Sequence, residues 1–320
     1  MFNKHTSVIC TIFLCCLLLL SACSSTNSTT QVKHAMAAKR VVTPTATIPT
    51  LPTPTVAPLT PAPQHYTARL LLRDIARPDD MTFDLQGRIL FSDAHNDTVS
   101  RLNSDGTVTV LLRGIAEPEG LIVLPDGTLI ITEQGYNRII ALAPGAKAAT
   151  VLRTLPGVTS TAPCKDGVDG IALDPTNSTL IVPDSPTGEV YRMSLDGKSL
   201  TLLTSGIVRP VGATVDAHGM VYVADECGGT LWKVTPTGSK TRISGFGMLD
   251  DVALDTHGNA LVIDLLPALH ALVRVNLATG AHETLATAGL IEPQGLILGP
   301  HDTIIVSDDY SNRIVEYTPS

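Results

Sequence analysis

Aromatic side chains are scarce in this chain: they make up 4 % of its 320 residues, with a single tryptophan. A core short of large rings has to be assembled from Val, Ile, Leu and Ala, which suits closely packed strands buried on both faces. Acidic residues are absent from the first 66 positions, so all 30 fall in the remainder, whereas Lys4, Lys33, Lys39 and Arg40 precede it. The larger part of the chain is therefore strongly acidic, which argues against a nucleic-acid-binding surface. Long apolar runs are missing apart from Val8 to Leu20, which falls short of the roughly 20 residues a membrane-spanning helix requires. No Ser-His-Asp order and no phosphate-cradling glycine loop stands out, and the glycines are accounted for by turns. That leaves no serine-hydrolase triad and no nucleotide or organic cofactor to expect.

What is present begins with an address. Lys4 supplies a positive start, and the apolar run ends in Leu20-Ser21-Ala22-Cys23. Residues 1–22 read as a secretory signal. The four-residue ending resembles the lipobox of bacterial lipoproteins, in which the Cys becomes the lipidated first residue of the mature chain. The resemblance implies lipidation at Cys23 and anchoring on the outside of the bacterial cytoplasmic membrane, at the cell surface or in the periplasm. An ordinary signal followed by an incidental Cys is the plainer reading. Residues 23–66 follow as a tether, with Thr43 to Pro63 alternating Thr, Pro and small apolar residues. Such a stretch buries too little apolar surface to order itself.

From 67 to 320 one phrase returns six times. Its openings are Pro78-Asp79-Asp80-Met81, Pro118-Glu119-Gly120-Leu121, Val168-Asp169-Gly170-Ile171, Pro210-Val211-Gly212-Ala213, Leu249-Asp250-Asp251-Val252 and Pro293-Gln294-Gly295-Leu296. Each runs into an apolar strand, a reverse turn and a second strand that usually ends on an acid. Gln86-Gly87, Asp126-Gly127, His218-Gly219 and His257-Gly258 supply the positive-φ residue a tight hairpin needs. Units about 40 residues long and made of short strands are propeller blades. The expected fold is all-β: a six-bladed β-propeller of four-stranded antiparallel blades. The last copy is one strand short, and Ala68 to Arg73 resembles the fourth strand of the first blade, Val108 to Arg113. The N-terminal strand (68–74) is therefore expected to join the last blade and close the ring, leaving no exposed edge.

The pattern resembles NHL-repeat propellers and, more distantly, the SMP-30/gluconolactonase and paraoxonase group. Tyr136-Asn137-Arg138-Ile139 and Ser311-Asn312-Arg313-Ile314 resemble the NHL turn that starts a third strand. Val221-Tyr222-Val223-Ala224-Asp225 with Gly228-Gly229 is closer to SMP-30, and Ile131 to Gly135 resembles the seven-bladed streptogramin lyases.

The repeat brings candidate residues to one mouth. Asp79, Glu119, Asp169, Asp250 and Gln294 open the innermost strands, Asp80 and Asp251 stand where other copies carry Gly, and Val211 breaks the series. Converging carboxylates repel, so either some hold protons or a cation neutralises them. The SMP-30 resemblance implies one Ca²⁺ in the central channel on Asp79, Glu119, Asp169, Asp250 and Asp251. The plainer reading has these acids capping strand ends. The resemblance is incomplete, because the N-terminal Glu motif of SMP-30 is absent and Val211 cannot ligate. Strand-two ends return to the same mouth with Asp93, Glu133, Asp184, Asp225, Asp264 and Asp308, either tying loops through backbone amides or serving as base or outer ligand. His95 and His270 fall in mouth loops and, with Glu133, are the acid–base candidates. His218, His257 and His301 fall in turns on the far face. The apolar stretch Leu265 to His270 reads as an exposed mouth loop. Cys164 and Cys227 fall in loops of neighbouring blades on one face; in an oxidising exterior they pair as a disulfide, and otherwise they are free or buried thiols.

Three functions remain open. A surface-anchored, monomeric propeller binding a small molecule or a protein at its acidic mouth comes first. A Ca²⁺-dependent lactonase or esterase of the SMP-30/paraoxonase kind is the alternative. A streptogramin-type lyase is the third.

Overall fold

The computed structural model describes residues 66–320 apart from 75–76, 177 and 267–268. The signal segment, Cys23 and the tether up to residue 65 lie outside the described residues. The chain from Tyr66 onward forms six four-stranded antiparallel sheets arranged as a propeller. β1 (Tyr66–Arg73) comes first. Blade one is β2 (Met81–Phe83), β3 (Ile89–Asp93), β4 (Thr98–Leu102) and β5 (Val108–Arg113). Blade two is β6 (Pro118–Val123), β7 (Leu129–Glu133), β8 (Arg138–Leu142) and β9 (Thr150–Thr154). Blade three is β10 (Ala172–Asp174), β11 (Thr179–Asp184), β12 (Glu189–Ser194) and β13 (Leu200–Ser205). Blade four is β14 (Pro210–Val215), β15 (Val221–Asp225), β16 (Thr230–Val234) and β17 (Lys240–Ser244). Blade five is β18 (Leu249–Leu254), β19 (Asn259–Leu266), β20 (Leu269–Asn276) and β21 (His282–Ala286). Blade six is β22 (Pro293–Leu298), β23 (Ile304–Asp308) and β24 (Arg313–Pro319), completed by β1.

Closure follows the expected route. β1 pairs antiparallel with β24 from Tyr66↔Pro319 to Arg73↔Arg313, with a bulge between Leu70 and Leu72. The strand begins at Tyr66, two residues ahead of the expected start. Tyr66 lies on the face opposite the mouth: its hydroxyl accepts a hydrogen bond from Arg274 at 2.6 Å, and Arg274 pairs with Asp255 in a far-face turn at 3.4 Å. The chain therefore enters the domain from the side away from the mouth.

The core is divided among the blade boundaries. Leu72, Met81, Phe91 and Ile314 fill the boundary of blades six and one; Val99, Leu121 and Ile131 fill that of blades one and two. Ile130, Ile139, Leu180 and Met193 fill the next, followed by Ile181, Val190, Val221 and Val223. Val211, Leu231, Leu249 and Val262 pack blade four on five, and Ile263, Leu272, Val306 and Tyr317 pack five on six. Each buried aliphatic side chain of this size contributes about 1.5–3 kcal/mol, and alternate residues of a strand serve opposite boundaries, so aliphatic strands suffice without many rings.

The innermost strands approach closely. A Cβ on Gly170 would stand 2.9 Å from the Cα of Gly212, and one on Gly212 would stand 2.7 Å from the Asp250 carbonyl oxygen. Only glycine permits this spacing. Two boundaries differ, because Asp80 and Asp251 occupy the equivalent place. Asp251 accepts hydrogen bonds from the amides of Val252 at 2.7 Å and of Leu296, in the next blade, at 2.8 Å. Asp80 accepts from the amides of Met81 and, again in the next blade, Leu121.

The stretch Leu265 to His270 departs from the loop expected of it. β19 and β20 continue into it as a long hairpin, with Leu265 paired to His270, because apolar β-prone residues extend the ladder. Residues 267–268 lie outside the described residues.

Candidate functional site

The residue that opens each innermost strand is aimed at the axis by the common register of the blades. Asp79, Glu119, Asp169, Asp250 and Gln294 line one cavity of about 270 Å³. Val211, the sixth, is fully buried against Tyr222, Ala224 and Leu249 instead, since an apolar side chain gains by turning into the blade boundary. Gln134, Arg209, Glu226, Met248, Leu265, His270 and Glu292 form the outer wall. Below them a chamber of about 10 Å³, bounded by Asp80, Asp251 and the backbone of Gly170, Gly212 and Gly295, has room for roughly one water.

Burial dominates the electrostatics. It pushes Asp79, Glu119, Asp250 and Asp251 well above the ordinary carboxylate range, and like charges around the ring add to the effect. Asp79 and Glu119 hydrogen-bond to one another, an arrangement that requires a shared proton. Asp80 is raised to about 7 by burial, against the pull of its amide donors. Asp169 is raised by burial as well, but Arg209 restrains it. Glu119 is 6 % exposed, and its Oε2 has no hydrogen-bond partner.

Arg209 is the counter-charge. It is 8 % exposed and pairs with Asp169 at 3.2 Å, Asp166 at 3.5 Å and, closest of all, Glu226. It stands one residue before the opening phrase of blade four, the blade whose ring position is apolar. Nothing in the repeated phrase signals Arg209, because it lies outside the phrase, which opens at Pro210. The same register holds Arg77 before blade one, where it pairs with Asp309 at 2.8 Å. Cys164 and Cys227 form a disulfide. Asp166 follows Cys164 by two residues and Glu226 precedes Cys227 directly, so the bridge joins the two loops that carry partners of Arg209.

The residues proposed to hold calcium have other engagements. Asp80 and Asp251 spend oxygens on backbone amides, Asp79 and Glu119 hold each other, and Asp169 faces Arg209. Among the described residues, no group of three or more His, Cys, Asp or Glu is placed to hold a metal ion. With its oxygens so engaged, the set as arranged is not a preformed Ca²⁺ cage.

The strand-two acids do not line the cavity. Each is buried and takes amides of the segment leading into its own blade. Asp93 accepts from Arg77, Glu133 from Ala116 and Asp184 from Gly157. Asp225 accepts from Val208 and Arg209, Asp264 from Gly247 and Met248, and Asp308 from Ile291 and Glu292. These carboxylates clasp the rim, and their oxygens are consumed in doing so. Glu133 also pairs with Arg138. Of the histidines, His270 lies on the cavity wall beside Glu292, whose carboxyl is raised by burial and by Asp309, whereas His95 is exposed and outside the lining. Asn137, in the turn that leads into β8, is a hub: its side chain bonds Gly157, Asp184 and Val168, stitching blade two to blade three.

No protein-family model matches the chain. The fold is similar to that of a gluconolactonase from Xanthomonas campestris, with TM-score 0.66 and 14 % identity over 80 % of this chain and 90 % of that one. It is similar to a catalytically inactive virginiamycin B lyase from Staphylococcus aureus with quinupristin, with TM-score 0.61 and 16 % identity over 80 % and 100 %. It is also similar to a chain of a nidogen/laminin complex, with TM-score 0.58 and 18 % identity over 72 % and 93 %. Likeness at such identities shows a shared fold, and this fold carries enzymes and binding proteins alike.

Proposed function

We propose that the propeller is a recognition module whose mouth binds a small polar molecule bearing a protonated amine. The observation that carries this is Glu119: a buried carboxyl group held only by the proton it shares with Asp79, whose Oε2 has no hydrogen-bond partner, on a cavity lined by six carboxylates and a single guanidinium. A buried acceptor left unmet costs about 1–3 kcal/mol, which an ammonium donor would recover. The ammonium would also let ring carboxylates release protons they hold only because they are buried together. The test is a titration with 3-methylbutylamine, followed by calorimetry or NMR. Saturable binding that weakens from pH 8 to pH 5 and disappears in Glu119→Gln supports the reading; no binding at any pH rejects it.

Export, with anchoring through Cys23, belongs to the same proposal. The Cys164–Cys227 disulfide is compatible with an oxidising exterior.

A Ca²⁺-dependent lactonase is the second reading. It is favoured by fold likeness to gluconolactonases and by the positions of Asp169 and Asp250-Asp251. In that reading Asp79, Glu119, Asp169 and Asp250 would have to exchange their present partners for the ion, which when bound would polarise an ester carbonyl. A lyase reading rests on His270 and Glu292 sharing the cavity wall.

A further inference from the structure

The mouth holds a second unmet group of the opposite kind. The terminal nitrogens of Arg209 are engaged by Asp166, Asp169 and Glu226, but its buried Nε–H has no hydrogen-bond partner. Arg209 and Glu119 line the same cavity. One offers a donor that lacks an acceptor, and the other an acceptor that lacks a donor. A simple amine answers Glu119 and leaves Arg209 unmet.

We propose that the ligand is an α-amino amide, the chemistry presented by the free N-terminus of a peptide. Its ammonium is taken by Glu119, with Asp79 and Asp250 beside it, and its carbonyl oxygen accepts from Arg209 Nε–H. Three features narrow the class. The acceptor is neutral, because Arg209 already faces three carboxylates and a further anion would be repelled by Asp169 and Glu226. Met248 and Leu265 give the wall an apolar stretch that a side chain on the ligand's α-carbon can cover. The cavity, near 270 Å³, lies at the small end of ligand pockets, which run from about 300 to 1,000 Å³, so the head of the molecule is held and the rest emerges. Arg209 is also pre-set. Its partners Asp166 and Glu226 flank the two bridged cysteines, so the fork is held before the ligand arrives.

This inference rests on the reading of the mouth as an amine site, and the experiment separates the two. The probes are leucinamide, 3-methylbutylamine (leucinamide without its carboxamide) and leucine, titrated into the 66–320 chain with its disulfide intact. Leucinamide is expected to bind at least about ten-fold more tightly than either of the others. In Arg209→Lys, which keeps the charge but loses Nε–H, the ratio of leucinamide to 3-methylbutylamine affinity is expected to collapse to about one. A merely structural Arg209 would weaken both probes and leave the ratio standing. Equal affinities in the unaltered protein would overturn the carbonyl contact while the amine site survives. Tighter binding of leucine would overturn the choice of a neutral acceptor. Failure of all three probes would remove the amine site itself. Should Arg209→Lys not fold, the comparison of the three probes on the unaltered protein decides alone.

Discussion

Asp251 reaches across a blade boundary and accepts the amide of Leu296 at 2.8 Å. Asp80 repeats the bond one boundary after the chain closes, toward Leu121. Where the other copies bring glycine backbones together, these two place a carboxyl group in the channel, and the two face each other electrostatically. Their protonation is thus tied to the cohesion of the ring.

The sign of that tie follows from Asp80, whose pKa rises from 3.8 unfolded to about 7 folded. A raised carboxyl pKa means that the folded state holds the proton more tightly. The contribution is complete below the unfolded value and is lost as pH climbs through about 4 to 7, by an amount on the order of a few kcal/mol. The ligand-free domain should therefore melt at a lower temperature at pH 8 than at pH 5. Asp80→Asn, which keeps an acceptor without a charge, should make the profile shallower by the Asp80 share, the other raised carboxyls of the ring supplying the rest. A melting temperature that is flat over this range in the unaltered domain would remove the premise.

The clasping acids make a second expectation. Asp225 accepts the amides of Val208, Arg209 and Gly228 and the indole N–H of Trp232. Asp225→Ala leaves the buried Arg209 amide unmet, at about 1–3 kcal/mol, and frees three part-buried donors that water can meet at smaller cost. Trp232 is the only tryptophan, so its fluorescence reports the site directly. The variant should melt several degrees lower, by the usual conversion of about 2–4 °C per kcal/mol for a domain of this size, with an altered emission maximum. Unchanged emission with unchanged melting would show that the bonds contribute nothing.

Much of this was legible in the sequence because a propeller repeats its own grammar. Copies of one phrase, turns ending on glycine and a missing last strand name the blade count and the closure without reference to packing. The ring of Asp79, Glu119, Asp169, Asp250 and Gln294 follows from the same register. What escaped lies where the register ends. Arg209, Glu226 and Glu292 belong to rim segments of unequal length, and nothing in their spacing announces that they meet. The two roles weighed for the strand-two acids could not be separated either, because a carboxylate that clasps amides and one that faces a ligand look alike until their partners are known.

The bridge between Cys164 and Cys227 should matter twice. It closes a separation of 63 residues, which in the chain-entropy picture stabilises by about 4 kcal/mol. It also holds the loops bearing Asp166 and Glu226 against Arg209. Replacing both cysteines by Ser should lower the melting temperature and, at temperatures where the domain stays folded, weaken leucinamide more than 3-methylbutylamine. Equal weakening of the two probes would place the bridge outside the control of Arg209.

Calcium separates the two leading functions. With the carboxylates engaged as they are, EDTA should leave the melting temperature unchanged, and millimolar Ca²⁺ should raise it only slightly and in a salt-sensitive way. A large, reversible rise would mean that an ion binds the folded state strongly and that the ring rearranges around it. Lactones and aryl esters assayed with and without Ca²⁺ would then show whether such an ion is catalytic; turnover lost in Asp169→Ala would establish the hydrolase.

The N-terminal strand bears on the whole domain. β1 supplies Leu72 to the boundary of blades six and one, where it packs with Met81, Phe91 and Ile314. Its ladder with β24 runs the length of both strands, and Tyr66 ties it to Arg274 in blade five. A chain that starts at Pro78 would lose that ladder, expose the β24 edge and open a cavity beside Phe91, three costs that fall on one boundary. Because a ring transmits the loss to every blade, unfolding should remain a single transition displaced well downward, with aggregation through the bare edge. A peptide spanning β1, added in excess, should restore part of the melting temperature by pairing in the vacant place. A truncated domain that melts like the intact one would mean that the blades hold together without the closing strand, and the shared axial mouth would then owe nothing to closure.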